Sequence, residues 1–224
     1  MILRISFFVG IFLLAFTFPH AAIAQTESAT LIDKRQEAIE TRQATREAVR
    51  ERMQERKKDI REKAQQKREE AKEKFKAKRE TLKIKIEKIK DERKKTIVER
   101  IDNKLSIVNT NRTDRMLEHL EKLSSILEEI KERAVLTKAD GKDTTAVDTA
   151  ISAAQNTITN AQNAVVTQAG KEYIITITTE QALKNTIGKT VSQLQQDLKV
   201  TYKAVVDAKQ AVQAAARELA KIGK

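Results

Sequence analysis

Residues 46–78 fall into three rows of eleven, REAVRERMQER, KKDIREKAQQK and REEAKEKFKAK, and this period decides what the chain can fold into. Eleven residues complete three helical turns at about 3.67 residues per turn, so each column of the repeat keeps to one face and drifts only about 20° per row. Advancing about 100° per residue, the fourth and eighth columns fall together as an apolar seam. It holds Ala38, Val49, Ile60, Ala71 and Leu82, with Met53, Ala64, Phe75, Ile86 and Ile97. The first and fifth columns flank that seam and are basic: Arg46 with Arg50, Lys57 with Arg61, Arg68 with Lys72, and Arg79 with Lys83. The seventh and eleventh columns make the other flank basic through Lys63, Lys74, Lys67 and Lys78, while Glu51, Glu62 and Glu73 lie opposite. The repeat therefore predicts a long helix polarised across its width.

Composition supports helix over a thick globular core. The 224 residues are 34% charged and 4% aromatic, with five Gly and one Pro, and few breakers mean long helices. The formal charge of +12 is unevenly spread. Residues 33–100 hold 26 basic and 16 acidic side chains, whereas 101–224 hold 17 and 15, so nearly all the surplus lies in the first half. A strong basic balance on one face points to an anionic partner.

The opening MILRISFFVGIFLLAFTFPHAAIA has a basic residue, an apolar run over 5–18 and a small-residue end at Ala22-Ile23-Ala24. This is the pattern of a secretory signal spanning 1–24, with cleavage expected after Ala24 and an exported product. The apolar run is short of the roughly 20 residues that span a bilayer. Residues 25–32 read as a flexible N-terminus and 33–100 as a basic arm, a single helix or coiled coil on the order of 100 Å long. No Pro or Gly interrupts the chain near residue 100, so the helix is expected to continue across it, with NTNRTD at 109–114 as the candidate break.

From Met116 the apolar spacing alternates four and three through Leu120, Leu123, Leu127 and Ile130, a heptad seam. TKADGKDTT then reads as a turn, with Thr145 and Asp148 placed as a capping box. Val147, Ile151, Ala154, Ile158, Ala161 and Val165 continue the seam as far as Gly170, and KEYIITITT reads as an extended connector. A third helix follows, with Ile187, Val191, Leu194, Leu198, Val205, Ala208, Val212, Ala215, Leu219 and Ile222 on one face and Thr201 breaking the alternation. The fold class expected is all-α: a long charged N-terminal helix leading into an antiparallel three-helix bundle at 101–224, with helices at about 101–136, 146–169 and 180–222.

No residue pattern points to catalysis. His119 is the lone His beyond the leader, Cys is absent, and no Gly-rich phosphate loop or nucleophile motif occurs. The chain is read as a non-enzyme without metal or cofactor. The stretches RMLEHLEKLSSILEEIKERA, AISAAQNTITNAQNAVVTQAGKEY and GKTVSQLQQDLKVTYKAVVDAKQAVQAAARELAK resemble uncharacterised exported helical proteins of candidate-phyla bacteria, a resemblance that implies no site residues. A leader followed by a basic helical arm is more loosely similar to periplasmic chaperones of the Skp type, whose β-rich trimerisation body has no counterpart here beyond YIITIT.

The function expected is that of an exported structural or interaction protein presenting Arg46, Arg50, Lys57, Arg61, Arg68, Lys72, Arg79 and Lys83 to an anionic polymer, a membrane surface or, without sequence preference, nucleic acid. The alternative is a holdase for unfolded proteins. With Phe75 as the arm's one aromatic, base stacking would be weak.

Overall fold

The computed structural model describes the backbone of residues 21–222 and the side chains at 36, 40, 41 and 43–222. Residues 1–20 and every side chain of 21–35 lie outside the described residues, so the leader is not described beyond the backbone of 21–24; the backbone of 25–32, expected to be flexible, is part of the first helix. Among those described, the protein is all-helical, with four helices: α1 (Ala21–Glu87), α2 (Glu92–Ala139), α3 (Thr145–Ala169) and α4 (Leu183–Ile222). None is long and apolar enough to cross a membrane. The chain divides into two compact units, 1–50 and 51–224.

In the first unit, helix is supported locally by contacts such as Thr45 Oγ1 donating to the Thr41 carbonyl at 2.8 Å. In the second unit α1 has no internal Gly or Pro, and i,i+3 or i,i+4 ion pairs line its outer face. Lys63–Asp59, Lys67–Glu70 and Lys72–Glu69 close at 2.8, 2.6 and 2.8 Å. Each such exposed pair contributes only about 0.3–0.5 kcal/mol. The seam matters more: Ala64, Ala71, Leu82 and Ile86 are all buried, as the eleven-residue columns require.

The helix runs unbroken across residue 100, as expected, because α2 spans Glu92–Ala139, but the expected 33–100 arm is not one helix: it breaks at 88–91. Helix α1 stops at Glu87, Ile89 N–H closes on the Ile86 carbonyl at 3.1 Å, and Asp91 caps a new helix by accepting from the backbone N–H groups of Arg93 and Lys94. Two causes suffice without Gly or Pro. Asp91 offers the backbone a cap that an interior helical position would waste, and Ile86 and Ile89 both become buried only if the chain turns back over them. Helical phase is lost at the turn, so Ile97 is half exposed and Val98 takes the buried place instead.

The expected break at 109–114 does not occur. Asn109 and Thr113 are buried inside α2, which runs unbroken through them. Thr113 returns its hydroxyl proton to helical carbonyls, and Asn109 bonds across to α3 and the segment after it.

The heptad seams of α2, α3 and α4 meet in one buried cluster that includes Leu120, Leu127, Val147, Ile158, Val165, Ala208 and Val212, joined by Ala64 from α1. A second cluster gathers Leu82, Ile86 and Ile89 of α1 with Val98 and Leu105 of α2, Tyr173, Ile175 and Ile177 of the connector, and Leu183 and Leu194 of α4. Thr201, which breaks the α4 pattern, is buried and donates to the Asp197 carbonyl at 2.9 Å. The capping box expected from Thr145 and Asp148 does not form, because the helix begins one residue earlier than that pairing needs and its N-cap makes no side-chain cap bond. Thr144 is the N-cap, its hydroxyl donating to Asp148, while Asp143 accepts from the Thr145 N–H and hydroxyl. Those two bonds hold the Asp143 carboxyl below the usual carboxylate range. At the α2–α3 turn Gly141 adopts φ 79°, which a side chain would resist.

Candidate functional site

The eight basic residues singled out by the repeat fall into three groups. Arg46 and Arg50 belong to the 1–50 unit, where both are exposed. In the other unit, Arg61, Arg68 and Arg79 reach across to other elements, whereas Lys57, Lys72 and Lys83 do not.

The arginines border the apolar seam, so their alkyl stems cover it and their heads meet whatever lies beside it. Arg61 grips Glu121 of α2 with both arms of its fork, Nε to Oε1 at 2.7 Å and Nη2 to Oε2 at 2.9 Å. This raises the Arg61 pKa further, through the hydrogen bonds to Glu121 and its charge. Arg68 Nη2 donates to Asp114 at 2.6 Å and to the Thr113 hydroxyl at 2.8 Å. Arg79 Nη1 donates to Asp102 at 3.0 Å and Nη2 to Glu172, so one guanidinium joins α1, α2 and the connector.

The α1 numbers rise as the α2 numbers fall, so these two stretches run antiparallel. Burial drives the Asp102 carboxyl upward against the pull of Arg79. The partners were legible in principle: Asp102, Asp114 and Glu121 repeat in reverse nearly the spacing of Arg79, Arg68 and Arg61.

The lysines stay outside. Lys72 and Lys83 are exposed and pair only within α1, with Glu69 at 2.8 Å and Glu80 at 3.2 Å. Lys57 edges a shallow cleft of ≈ 570 Å³ that also involves Arg61, Glu121, Lys122 and Ile126. Further along, the Lys74 and Lys78 ammonium groups lie 5.7 and 5.3 Å from the Phe75 ring centroid, a paired cation–π arrangement.

A buried polar network went unrecognised in the sequence. Gln168 Nε2 donates to Asn109 Oδ1 at 2.9 Å and to the Tyr173 hydroxyl at 2.8 Å, and Tyr173 donates to Asp197 at 2.7 Å. Lys171 reaches the same carboxylate at 3.1 Å. Burial, reinforced by the bond to Asp197, pushes the Tyr173 phenol well above its ordinary value, so it stays protonated. Burial works against the Asp197 carboxylate, but hydrogen bonds from Tyr173 and Lys171 hold it below the usual range. A fixed phenol bonded to a fixed carboxylate locks the end of α3 against α2 and α4; it is not placed to abstract a proton.

His119 is exposed. Ser124 and Ser125 donate to carbonyls of their own helix. Among the described residues no group of three His, Asp or Glu side chains could hold a metal ion. No family model, curated protein or solved structure matches the chain.

Proposed function

We propose that this is an exported, non-enzymatic interaction protein in which α2, α3 and α4 make an antiparallel three-helix bundle carrying the long basic helix α1, and that α1 offers lysines to an extended anionic partner. The observation that supports this most is the division of labour among the repeat's cations. Arginines next to the seam are neutralised by carboxylates of α2 and the connector, while Lys72 and Lys83 remain exposed on the same helix and Lys57, half-buried, edges a cleft beside it. Arg46 and Arg50 add two exposed cations in the first unit. Such a surface binds phosphate, sulfate or carboxylate polymers through charge and releases counterions, with little readout of sequence.

The test is a salt-titrated panel of duplex DNA, anionic liposomes and an acidic glycopolymer. Replacing Lys57, Lys72 and Lys83 by Gln should weaken binding about tenfold at low salt and lower the salt slope by roughly two to three. The same change at Lys189, Lys199 and Lys209 should do much less, and equal weakening by both sets would overturn the reading.

A second reading, a holdase for unfolded chains, draws support from an apolar groove of ≈ 580 Å³ between α2 and α4, lined by Ile126, Ile130, Leu136 and Leu219 among others. Suppression of client aggregation that survives high salt would favour it.

A further inference from the structure

Residues 51–78 of α1 are held to the rest of the 51–224 unit by a thin apolar contact and two arginine clasps. The buried apolar side chains they contribute are Ala64 and Ala71, with Met53, Ile60 and Phe75 half-buried beside them. Over the same stretch Arg61 crosses to Glu121 of α2, and Arg68 to Asp114 and Thr113. Beyond it the character of the contact changes. Leu82 and Ile86, with Ile89 in the turn, are sunk in a cluster with Tyr173, Ile175 and Ile177. One end of α1 is thus anchored by burial, while the stretch before it is strapped down.

The clasps are open to competition. Each has one exposed member, Arg61 in the first pair and Asp114 in the second, so other ions reach both. The second is also incompletely satisfied, because Arg68 Nε is buried without a hydrogen-bond partner among the protein atoms. An unpaired buried donor favours any state that returns it to water or to an anion. The bundle beneath takes little from the strap: its cluster includes Ala64, with Ile60 packed against it. Once lifted, the strap presents Lys57, Arg61, Arg68 and Lys72 on one stripe about 22 Å long.

We propose that residues 51–78 are a strap that a linear phosphate polymer releases, taking Arg61 and Arg68 from Glu121 and Asp114 while α1 pivots on the anchored stretch 82–89. The device rests on the reading of α1 as an anion-binding helix and adds a change of conformation to it. Lys72, exposed, and Lys57, at the edge of its cleft, bracket the two arginines. A polymer held by those lysines meets Arg61 and Arg68 at high effective concentration, an advantage that a single ion lacks. The guanidinium fork that fits a carboxylate also fits a phosphate, so the exchange keeps the geometry of the clasp while it changes the partner.

The chain has no Cys, so spin labels can be placed in pairs on the full-length protein. Gln65→Cys with Asn160→Cys reads the strap against α3, and Glu87→Cys with Asn160→Cys reads the anchored end; all three positions are exposed. At low salt, linear inorganic polyphosphate should lengthen the first distance by about 10 Å, the travel of a site about 30 Å from the pivot under a tilt of about 20°. The second distance should not change. A dT strand of equal charge tells the sources apart: opening by both assigns the release to backbone phosphate at large, and opening by polyphosphate alone assigns it to the inorganic polymer, either result supporting the strap. Orthophosphate at equal phosphate content should leave both distances as they were. Asp114→Asn with Glu121→Gln removes the competing carboxylates without touching α1, so polyphosphate affinity should rise about tenfold. Asp207→Asn with Glu218→Gln removes the same charge from pairs within α4 and should change affinity by less than about threefold. Binding of polyphosphate with no change in the first distance overturns the strap and leaves the anion reading standing, whereas absence of binding overturns both. Equal opening by orthophosphate, or equal gains in affinity from the two carboxylate pairs, overturns the strap as well.

Discussion

Gly170 and Gly188 show how the same residue type can matter for opposite reasons. A Cβ on Gly170 would sit 3.2 Å from Lys67 Cβ and 3.3 Å from the Lys67 carbonyl oxygen, so α1 passes close to the end of α3 there. A Cβ on Gly188 meets nothing within 4 Å, and that residue lies inside α4. Gly170→Ala is therefore expected to cost about 1 kcal/mol, since the gain from a stiffer unfolded chain is outweighed by crowding. Gly188→Ala should add about 0.5–1 kcal/mol. Urea denaturation of both variants checks the pair, and stabilisation by Gly170→Ala would mean the close approach is loose.

The network around Tyr173 carries a pH signature with a definite sign. Asp197 is held below the ordinary carboxylate value of 3.8, so it contributes stability above that value and loses it as the pH falls through its lower folded value. Asp102, pushed up by burial, has the opposite sign: its charged form is the costly one, and its own contribution grows on acidification. Asp197→Asn should lower the urea midpoint at neutral pH and make its decline between about pH 5 and pH 2 shallower. Parallel decline in the variant and the parent would show that Asp197 is not a source of the acid sensitivity.

At the scale of elements, the contact between α1 and α2 can be ranked by burial of the pairs that cross it. The Arg79 side chain is 26% exposed and its two partners Asp102 and Glu172 13% and 10%, whereas Arg61 is 57% exposed and holds one partner, Glu121, at 16%. Arg79→Met leaves two carboxylates poorly solvated and uncompensated, at a cost of about 3 kcal/mol. Arg61→Met strands one carboxylate instead of two, in a pair whose arginine is largely in water, and should cost less, about 1–2 kcal/mol. Chemical denaturation of the two variants tests the ranking, and a larger loss from Arg61→Met would reverse it. Cation number alone does not predict this order, because the seam-facing columns look alike in sequence and differ in what α2 and the connector set opposite them.

For the 51–224 unit as a whole, the two buried clusters depend on α1 to different degrees. One draws mainly on α2, α3 and α4, with Ala64 as a small contributor. The other takes Leu82, Ile86 and Ile89 from the end of α1 and its turn. A chain of residues 91–224 should therefore keep slow amide exchange in 147–165 and 205–215 and lose it in 171–182 and the first turns of α4. Uniform loss would make α1 an integral part of a single cooperative unit, and no loss at 171–182 would make it dispensable.

The helices themselves were legible in the sequence because helical periodicity is a local property. Eleven-residue columns placed Ala64, Ala71, Leu82 and Ile86 on the buried face, and the four-three alternation did the same for all six seam residues of α3 and for Leu194, Val205, Ala208, Val212 and Ala215 of α4. The connections were harder to read. The turn at 88–91 has no Gly or Pro, and Asp91 becomes a cap only because turning back lets Ile86 and Ile89 reach Val98 and Tyr173. The polar run at 109–114 reads as a break until Arg68 and Gln168 arrive from distant sequence to satisfy Thr113 and Asn109. Sequence by itself determined that the chain is helical and which face of each helix is apolar, since both follow from spacing along one chain, but not where the helices stop. Which cations stay in solvent and which are neutralised was decided only by the tertiary structure, because the countercharges lie 23 to 93 residues away and act only once the helices lie side by side.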